Sequence, residues 1–397
     1  MTDKIKILFV NDEMRMGGVA RVLNTLMAAL PKDRYDIDLL VLHKRGMLLE
    51  KVPEGVRILE GTPFFHAVDL SLSDLWKNKD MPGIGKKLRL LFSMKSGLVK
   101  KRIVEERKKI LDKQYDVEVA AKEGFCTIFT AYGDSRKKIN WVLTDYSVCN
   151  YSSNHMNLVK QALQKIDLNI ADSEQALIAY ETVFRVYNGV AIHNLMDVDL
   201  VKNGMKEGTD EVIHDGLPNL ITVARFHPQK SIDRLLNASK KAKDAGYRHH
   251  LYLIGGGELE SDLRKQVCDL GLEDTVLFMG YRQNPYAMMA DCDLFVLPSL
   301  YEGFATDISE SLIAGTPVLT TDVSGAKEQI TEEYYGWIVD NSQDGIDRGM
   351  LNALSDLPGL QNMKQNLAGY EYPNDRILKQ FMEIFDGQND GKDTVSV

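Results

Sequence analysis

An alternation of short apolar runs with helix-like segments constrains the fold of this chain more than any other sequence feature. It is clearest at 293–320, where an apolar run is followed by a polar loop, a short helix-like segment, Gly315 and a second apolar run. Such runs predict buried parallel strands, and the glycine predicts a helix end. The loop 299–305 should therefore lie at the carboxyl end of a strand and at the amino end of a helix.

The same alternation recurs along the whole chain. Strand-like runs fall at 5–10, 37–42, 56–59, 117–121, 139–143, 168–171, 190–197, 219–225, 251–254, 275–279 and 293–298. Strands that alternate with helices predict an α/β fold with doubly wound parallel sheets, and 397 residues exceed one comfortable core. We expect an N-terminal domain at 1–198, a linker at 199–218, a C-terminal domain at 219–374, a terminal helix at 375–386 packing back on the N-terminal domain, and a disordered tail at 387–397.

Composition narrows the class of protein. Hydrophobic residues make up 44% and charged residues 26%, which is typical of soluble globular proteins. No apolar run approaches the roughly 18–20 residues of a membrane span, and the first strand follows the start directly, so we expect no secretory signal. The four cysteines are scattered and form no CxxC pair, which favours a cytoplasmic location and argues against structural zinc.

Charge is uneven along the chain. Residues 1–200 carry 30 Lys and Arg against 26 Asp and Glu, whereas residues 201–397 carry 18 against 31. The basic excess lies in 86–109, within a segment, 64–109, that also contains aromatic and apolar residues. This segment could be a solvated helix face, or an element that binds an anionic membrane surface. Nucleic acid is disfavoured as a partner because the rest of the protein is acidic.

The loop that follows the run at 293–298 carries groups suited to a sugar phosphate. Free N–H groups and the dipole of a helix N-terminus favour phosphate. Glu302 and Glu310 can accept hydrogen bonds from paired sugar hydroxyls. Arg225 ends the run at 219–225 and Lys230 follows it, and the two can converge on a diphosphate, since Arg offers a bidentate fork and Lys a movable charge.

Further candidates follow strands of the N-terminal half. Gly17 and Gly18 stand between the first strand and a helix, where they could admit a ligand close to the backbone or simply form a tight turn. They do not make a GxGxxG motif, so a dinucleotide is disfavoured. Polar residues also stand at strand ends, where α/β proteins build their sites.

Several motifs together resemble a known family. They are 223–230, 254–259, the pair Glu302 and Glu310 with seven residues between them, 315–318 and 324–328. The chain resembles retaining glycosyltransferases of the GT-B fold, in the family-4 group, over nearly its whole length and most strongly at 220–340. Four stretches, 122–124, 138–146, 320–325 and 335–341, are similar to bacterial enzymes that build capsule, exopolysaccharide or teichoic-type polymers.

The resemblance implies two Rossmann-like domains that face a central cleft. The C-terminal domain would hold a nucleotide-sugar donor, with UDP as the expected nucleotide, and the N-terminal domain a lipid-linked or polymer acceptor. Arg225 and Lys230 would neutralise the leaving diphosphate, and Glu302 would bind the donor sugar. The transfer would retain configuration and need no metal or other cofactor.

The resemblance also implies the remaining site residues. Donor contacts would come from Gly17, Gly18, Gly255, Gly256, Gly303, Phe304, Ala305 and Glu310. Acceptor contacts would come from Glu123, Thr144, Asp145 and Asn194. Leu143 stands where relatives commonly have His, which implies an altered subsite, for instance for a 6-deoxy sugar, or another residue in that role.

Two alternative functions stay open at this point. A nucleotide-sugar epimerase of the same fold would need no acceptor, and a catalytically silent subunit would need no reaction at all. The three DxD sequences at 36–38, 197–199 and 291–293 match the metal-binding motif of the other major glycosyltransferase fold. That motif should follow a strand, whereas two of these pairs open or precede one, so we interpret all three as chance.

Overall fold

The computed structural model describes residues 3–66, 72–148 and 153–387. The chain divides into two compact units, the first formed by Met1–Leu195 with Asn374–Val397 and the second by Met196–Pro373. All but the first residue of the tail expected at 387–397 lies outside the described residues.

The first unit is built on a seven-stranded, wholly parallel sheet in the order β3-β2-β1-β4-β5-β6-β7. Its strands are β1 (Ile5–Asn11), β2 (Tyr35–Val41), β3 (Arg57–Glu60), β4 (Val117–Ala120), β5 (Lys137–Val142), β6 (Leu168–Ala171) and β7 (Gly189–Ala191). The strand order reverses direction at β1, which confirms the predicted doubly wound arrangement. The strand predicted at 190–197 was too long, since β7 ends at Ala191.

Helices connect these strands. They are α1 (Gly18–Ala29), α2 (Pro63–His66), α3 (Leu72–Lys77), α4 (Met81–Lys95), α5 (Val99–Ile110), α6 (Phe125–Ala131), α7 (Ser153–Leu163) and α8 (Glu174–Phe184). The segment 64–109, irregular by its sequence pattern, is thus mainly helical where it is described. In α4, Ile84 and Leu90 face the core of the unit, while Leu88 and Phe92 remain exposed.

The second unit has a six-stranded parallel sheet in the order β10-β9-β8-β11-β12-β13. Its strands are β8 (Asn219–Arg225), β9 (His250–Gly256), β10 (Val276–Gly280), β11 (Leu294–Leu297), β12 (Val318–Thr321) and β13 (Gly336–Val339). Its helices are α9 (Val198–Lys206), α10 (Ile232–Asp244), α11 (Glu260–Leu270), α12 (Tyr286–Asp291), α13 (Thr306–Ile313), α14 (Ala326–Gln329), α15 (Gln343–Ser355) and α16 (Leu357–Asn366). All four residues of β11 and of β12 are buried, as strands covered on both faces should be, although β12 ends in two threonines.

The segment expected to be a linker, 199–218, is structured in its first part. Helix α9 is capped by Asp197, whose side chain accepts a hydrogen bond from the Leu200 N–H. Val201 and Gly204 are buried, and a Cβ at Gly204 would meet Tyr286 of α12 at 2.8 Å. The linker prediction was therefore wrong for 199–206, because this short amphipathic helix packs on the second unit.

The last helix, α17 (Asn374–Phe385), lies within the first unit. Phe385 packs edge-on against Phe9 of β1 with ring centroids 6.1 Å apart, and Phe381 packs against Trp141 of β5 at 5.4 Å. Just beyond the helix, Asp386 accepts a hydrogen bond of 2.8 Å from the Tyr35 hydroxyl. The chain thus returns to its first sheet and covers it with aromatic side chains.

Candidate functional site

The carboxyl end of β8 presents both basic candidates of the second unit. Arg225 ends the strand, lies opposite Gly256 of β9 and is exposed. Lys230 ends a 3-10 turn, Pro228–Lys230, that begins after His227, whose Nδ1 accepts from the Gln229 N–H at 3.3 Å. The chain then passes through Ser231 in a left-handed conformation into α10. This turn buries Lys230, leaving 9% of it exposed.

The Lys230 ammonium lies between two carboxylates. Its Nζ forms an ion pair with Glu302 Oε1 at 2.9 Å and donates a hydrogen bond to Asp307 Oδ2 at 3.0 Å. Burial by itself would lower the pKa of Lys230, but the attraction of Asp307 and then of Glu302 outweighs it and raises the pKa above its usual range. The group is therefore a fixed cation at any physiological pH.

Glu302 is held in place by the turn that carries Lys230. Gln229 Nε2 donates to Tyr301 O at 2.9 Å and to Glu302 Oε2 at 3.3 Å, and the Leu300 N–H donates to Gln229 O at 2.8 Å. The loop after β11 and the turn after β8 are thus joined by three hydrogen bonds. The structure brings the predicted Arg/Lys and Glu/Glu segments together on one edge of the sheet.

Glu310 lies on the buried side of α13, with 6% of its surface exposed. Its Oε1 accepts a hydrogen bond from the Tyr286 hydroxyl of α12 at 3.2 Å. Phe304 and Ala305 are buried in the loop beside Gly303, and Ala305 precedes α13 without a side chain that could cap the first N–H groups. These residues stand where the sequence placed them, at the amino end of a helix.

Gly255, expected as a donor contact, has a structural reason to be glycine that Gly256 lacks. Gly255 has φ +133°, and a Cβ there would lie 1.9 Å from Ala224 O, so only glycine allows β8 and β9 to approach at this point. A Cβ at Gly256 would meet Glu260 at an ordinary 3.6 Å. A Cβ at Gly17, before α1 of the first unit, would meet no atom within 4 Å, so the backbone there is open to a ligand.

In the first unit, Glu123 stands directly after β4 and its turn. Its Oε1 accepts a hydrogen bond of 2.7 Å from the Leu143 N–H, at the end of β5. Burial raises the pKa of Glu123 to about 7, although hydrogen bonds from the backbone, including those of Leu143 and Thr144, oppose the rise. The carboxyl group therefore links two of the predicted acceptor segments and titrates near neutral pH.

The other acceptor candidates have local partners. Asp145 Oδ1 accepts from the N–H and hydroxyl of Ser147 at 2.8 and 2.6 Å, which orders the turn after Thr144. Asn194 is buried, and its Nδ2 lies 3.5 Å from Asp172 Oδ2. The structure thus brings Glu123 and Thr144 together, while Asn194 contacts a carboxylate at the end of a different strand, β6.

Three contacts of the site were missed by the sequence reasoning: Asp307, Gln229 and Tyr286. Asp307 lies between the two glutamates, so a count of carboxylates in that loop would have found it. Gln229 is adjacent to Lys230 but carries no signal of its own. Tyr286 belongs to a helix that only the packing of α12 against α13 brings to Glu310.

The DxD pairs are used as structural partners. Asp38 is buried and forms ion pairs with Arg57 at 2.6 Å and Lys113 at 3.3 Å. Asp197 caps α9, and Asp293 accepts from the Asn219 N–H at 2.8 Å. Across 3–66, 72–148 and 153–387, no three or more His, Cys, Asp or Glu side chains are grouped as a metal site would require. Within the same ranges, every helix is too short or too polar to cross a bilayer.

A separate cleft of about 400 Å³ opens at the opposite end of the same sheet. It is lined by residues at or before the amino ends of β8 and β11, among them His214, Asn219, Asp291 and Asp293, and by Lys364 of α16. His214 Nε2 lies 3.0 Å from Asp291 Oδ2, and Lys364 Nζ donates to Cys292 O at 2.7 Å. Since β8 has seven residues, roughly 20 Å separates this cleft from Arg225.

Comparison with known proteins finds a family model that matches part of the chain. Residues 208–369 match the model described as glycosyl transferases group 1. A Campylobacter jejuni protein, N-acetylgalactosamine-N,N'-diacetylbacillosaminyl-diphospho-undecaprenol 4-alpha-N-acetylgalactosaminyltransferase, is 30% identical over 161 residues, which are 40% of this chain and 43% of that protein. The amylovoran biosynthesis glycosyltransferase AmsK of Erwinia amylovora is 29% identical over 32% of this chain and 33% of its own length. The match thus spans less than half the length of these curated relatives.

Solved structures extend the likeness to nearly the whole chain. HepE of Anabaena, crystallised with UDP, superposes with a TM-score of 0.71 at 18% identity, over 96% of this chain and 100% of HepE. The same protein with UDP-glucose gives a TM-score of 0.70 over the same shares. At this identity the likeness concerns the fold, and it confirms the expected GT-B architecture of two parallel-sheet α/β domains.

Proposed function

We propose that this chain, whose residues 208–369 belong to the group 1 glycosyl transferases, moves a hexose from a UDP-sugar to a membrane-tethered or polymeric acceptor. The reaction retains configuration and serves the synthesis of a cell-surface polysaccharide such as capsule or exopolysaccharide. The observation that carries the proposal is the buried Lys230 ammonium, set between Glu302 and Asp307 at the edge of the sheet where Arg225 ends β8.

This arrangement suits a nucleoside diphosphate sugar. Arg225 forms no ion pair within the described residues, so its fork is available to a diphosphate. The carboxylates of Glu302 and Glu310 can accept hydrogen bonds from hydroxyl groups. This supports binding of the donor sugar by Glu302 and of the ribose by Glu310. HepE, of the same fold, was crystallised with UDP and with UDP-glucose, which favours UDP among the nucleotides.

The proposed reaction depends on stabilising the negative charge of the leaving diphosphate. As the bond between the anomeric carbon and the diphosphate oxygen breaks, negative charge grows on that oxygen, and Arg225 and Lys230 stabilise it. The acceptor hydroxyl attacks from the face that the diphosphate leaves, and its proton passes to the departing phosphate oxygen. No protein nucleophile is required, and two cations beside the diphosphate take the role that a metal has in other transferases.

A tethered acceptor is supported by the exposed side chains of α3 and α4. Trp76, Met81, Leu88 and Phe92 are 71%, 65%, 52% and 67% exposed, and lysines flank them. Apolar side chains that enter the interface together with lysines that meet anionic lipid are typical of peripheral proteins at the cytoplasmic membrane face. The name of the Campylobacter relative includes a diphospho-undecaprenol-linked sugar, which points to the same kind of acceptor.

The donor is tested by a thermal-shift screen with UDP-, GDP-, dTDP- and ADP-sugars. A ligand at 100 times its dissociation constant adds about 2.7 kcal/mol to stability, and we expect the largest shift with UDP-sugars. Product analysis should then find a glycosylated acceptor with the donor's anomeric configuration. A free epimer would instead favour an epimerase, and binding without turnover or hydrolysis would favour a silent subunit.

The membrane part is tested by flotation with vesicles that contain anionic lipid. We expect the protein to float, and the double variant Leu88→Ser/Phe92→Ser to remain at the bottom. Ile178→Ser removes an equally exposed apolar side chain from α8, 62% exposed, and should float like the wild type. If the wild type does not bind these vesicles and its activity on a soluble acceptor is unaffected by them, the tethered acceptor is wrong.

A further inference from the structure

The Lys230 side chain is oriented in part by Asp307, which is not one of the two predicted glutamates. Lys230 forms ion pairs with both carboxylates, at 2.9 Å with Glu302 and at 3.0 Å with Asp307, and its Nζ donates a hydrogen bond to Asp307 Oδ2. Glu302 has a separate support in Gln229. Asp307 therefore orients the lysine side chain together with Glu302, through a contact of its own.

The second relevant property is the combined charge of Lys230, Glu302 and Asp307. One ammonium and two carboxylates sum to one negative charge, and all three side chains are at most 24% exposed. A diphosphate that approaches Lys230 consequently meets two carboxylates as well. Because the site is largely screened from water, this repulsion is felt more strongly than it would be at the surface.

Asp307 also stands in the first turn of α13. A carboxylate there is favourable for the helix, because it lies near the positive end of the helix dipole. The same positive end would otherwise attract phosphate, so Asp307 offsets part of the attraction that the helix offers to the donor. An ammonium has three N–H donors, and Asp307 and Glu302 occupy two directions, which leaves one for a ligand oxygen.

We propose that Asp307 is a positioning residue: it fixes the Lys230 ammonium for the moment when the diphosphate leaves, and its charge weakens the ground-state hold on that diphosphate. The inference rests on the proposed function. It predicts that affinity and rate move in opposite directions when the charge of Asp307 is removed. Interactions that favour the transition state over the bound substrate raise kcat, whereas equal binding of both does not.

The test compares Asp307→Asn with the wild type by calorimetry with UDP and by the rate of UDP release from the UDP-sugar found in the screen. We expect UDP to bind roughly three- to tenfold more tightly, since one negative charge is lost beside it. We expect kcat to fall by about tenfold or more, since a mobile lysine stabilises the leaving group less. Asp307→Glu should recover part of kcat, because it restores the carboxylate.

Asp344→Asn is the matched control, since Asp344 is an exposed carboxylate in the first turn of α15. It should change neither value. Provided that the wild type binds and turns over its donor, two results would overturn the inference. One is an unchanged kcat in Asp307→Asn, and the other is weaker UDP binding together with a lower melting temperature. Failure of the wild type to bind any nucleoside diphosphate would overturn the proposed function, and the inference with it.

Discussion

Replacement of Glu123 by Gln should make the first unit more stable at alkaline pH and leave it unchanged at acid pH. Burial raises the pKa of Glu123 to about 7, from a usual value near 4.5. The folded protein therefore keeps a proton between these two values that the unfolded chain has lost. Stability falls as pH rises through this interval, and the loss is complete above pH 7. Gln carries no charge, and its side-chain oxygen can still accept from the Leu143 N–H.

The magnitude follows from the shift in pKa. A difference of about 2.5 units corresponds to about 3 kcal/mol, and we expect about 2 kcal/mol because the side chain keeps some contact with water. For a unit of this size that corresponds to roughly 4–8 °C in melting temperature. The assay is thermal unfolding of wild type and Glu123→Gln at half-unit steps from pH 4.5 to 8.5. Glu54→Gln, an exposed carboxylate of the same unit, is the control.

The decisive quantity is the difference in melting temperature as a function of pH. It should be small at pH 4.5, rise steadily between about pH 5 and pH 6.5 and become level above about pH 7.5. A difference that does not depend on pH would show that Glu123 titrates normally, and the assigned effect of burial would then be wrong. Lower stability of Glu123→Gln at pH 8 would show that the carboxylate is needed as an anion.

Three further outcomes are expected. Glu118 is fully buried and lies 2.7 Å from Arg107, so Arg107→Met leaves its carboxylate without a cation. Denaturant unfolding should show a loss of about 3–5 kcal/mol in the free energy of unfolding, and Arg107→Met/Glu118→Leu should recover most of it. Glu310→Gln should mainly weaken donor binding measured by calorimetry, whereas Lys230→Ala should mainly lower kcat; equal loss of affinity in both, with kcat unchanged, would contradict this division. Excess EDTA should leave the rate of transfer unchanged, and a loss that Mg²⁺ or Mn²⁺ restores would contradict metal independence.

Much of the fold could be predicted from local sequence pattern. The strand-like runs at 168–171 and 219–225 coincide with β6 and β8, and the helix predicted between 293–298 and 318–320 is α13. These predictions succeeded because a strand covered on both faces must be apolar at every position, which is visible in one dimension. They failed for α9 and for the length of β7, where amphipathic or short elements depend on the surface against which they pack.

The candidate site, like the fold, could be predicted from the sequence only in part. Its charged residues could be found by sequence because carboxylates and cations that stand after predicted strands must meet at one edge of a parallel sheet. Their pairing could not be predicted, since Lys230 lies 72 positions from Glu302 and 77 from Asp307. Sequence spacing does not determine which of several carboxylates accepts from a lysine.

The sequence by itself determined the alternating elements, the two parallel sheets and the residue types available for phosphate and sugar. Tertiary structure alone decided that Asp307 holds Lys230, that Tyr286 contacts Glu310 and that burial brings the pKa of Glu123 near neutrality. The physical reason is that hydrogen-bond partners and exposure to water depend on distances of a few ångströms between elements far apart in the chain. Those distances are set by packing, which no local pattern encodes.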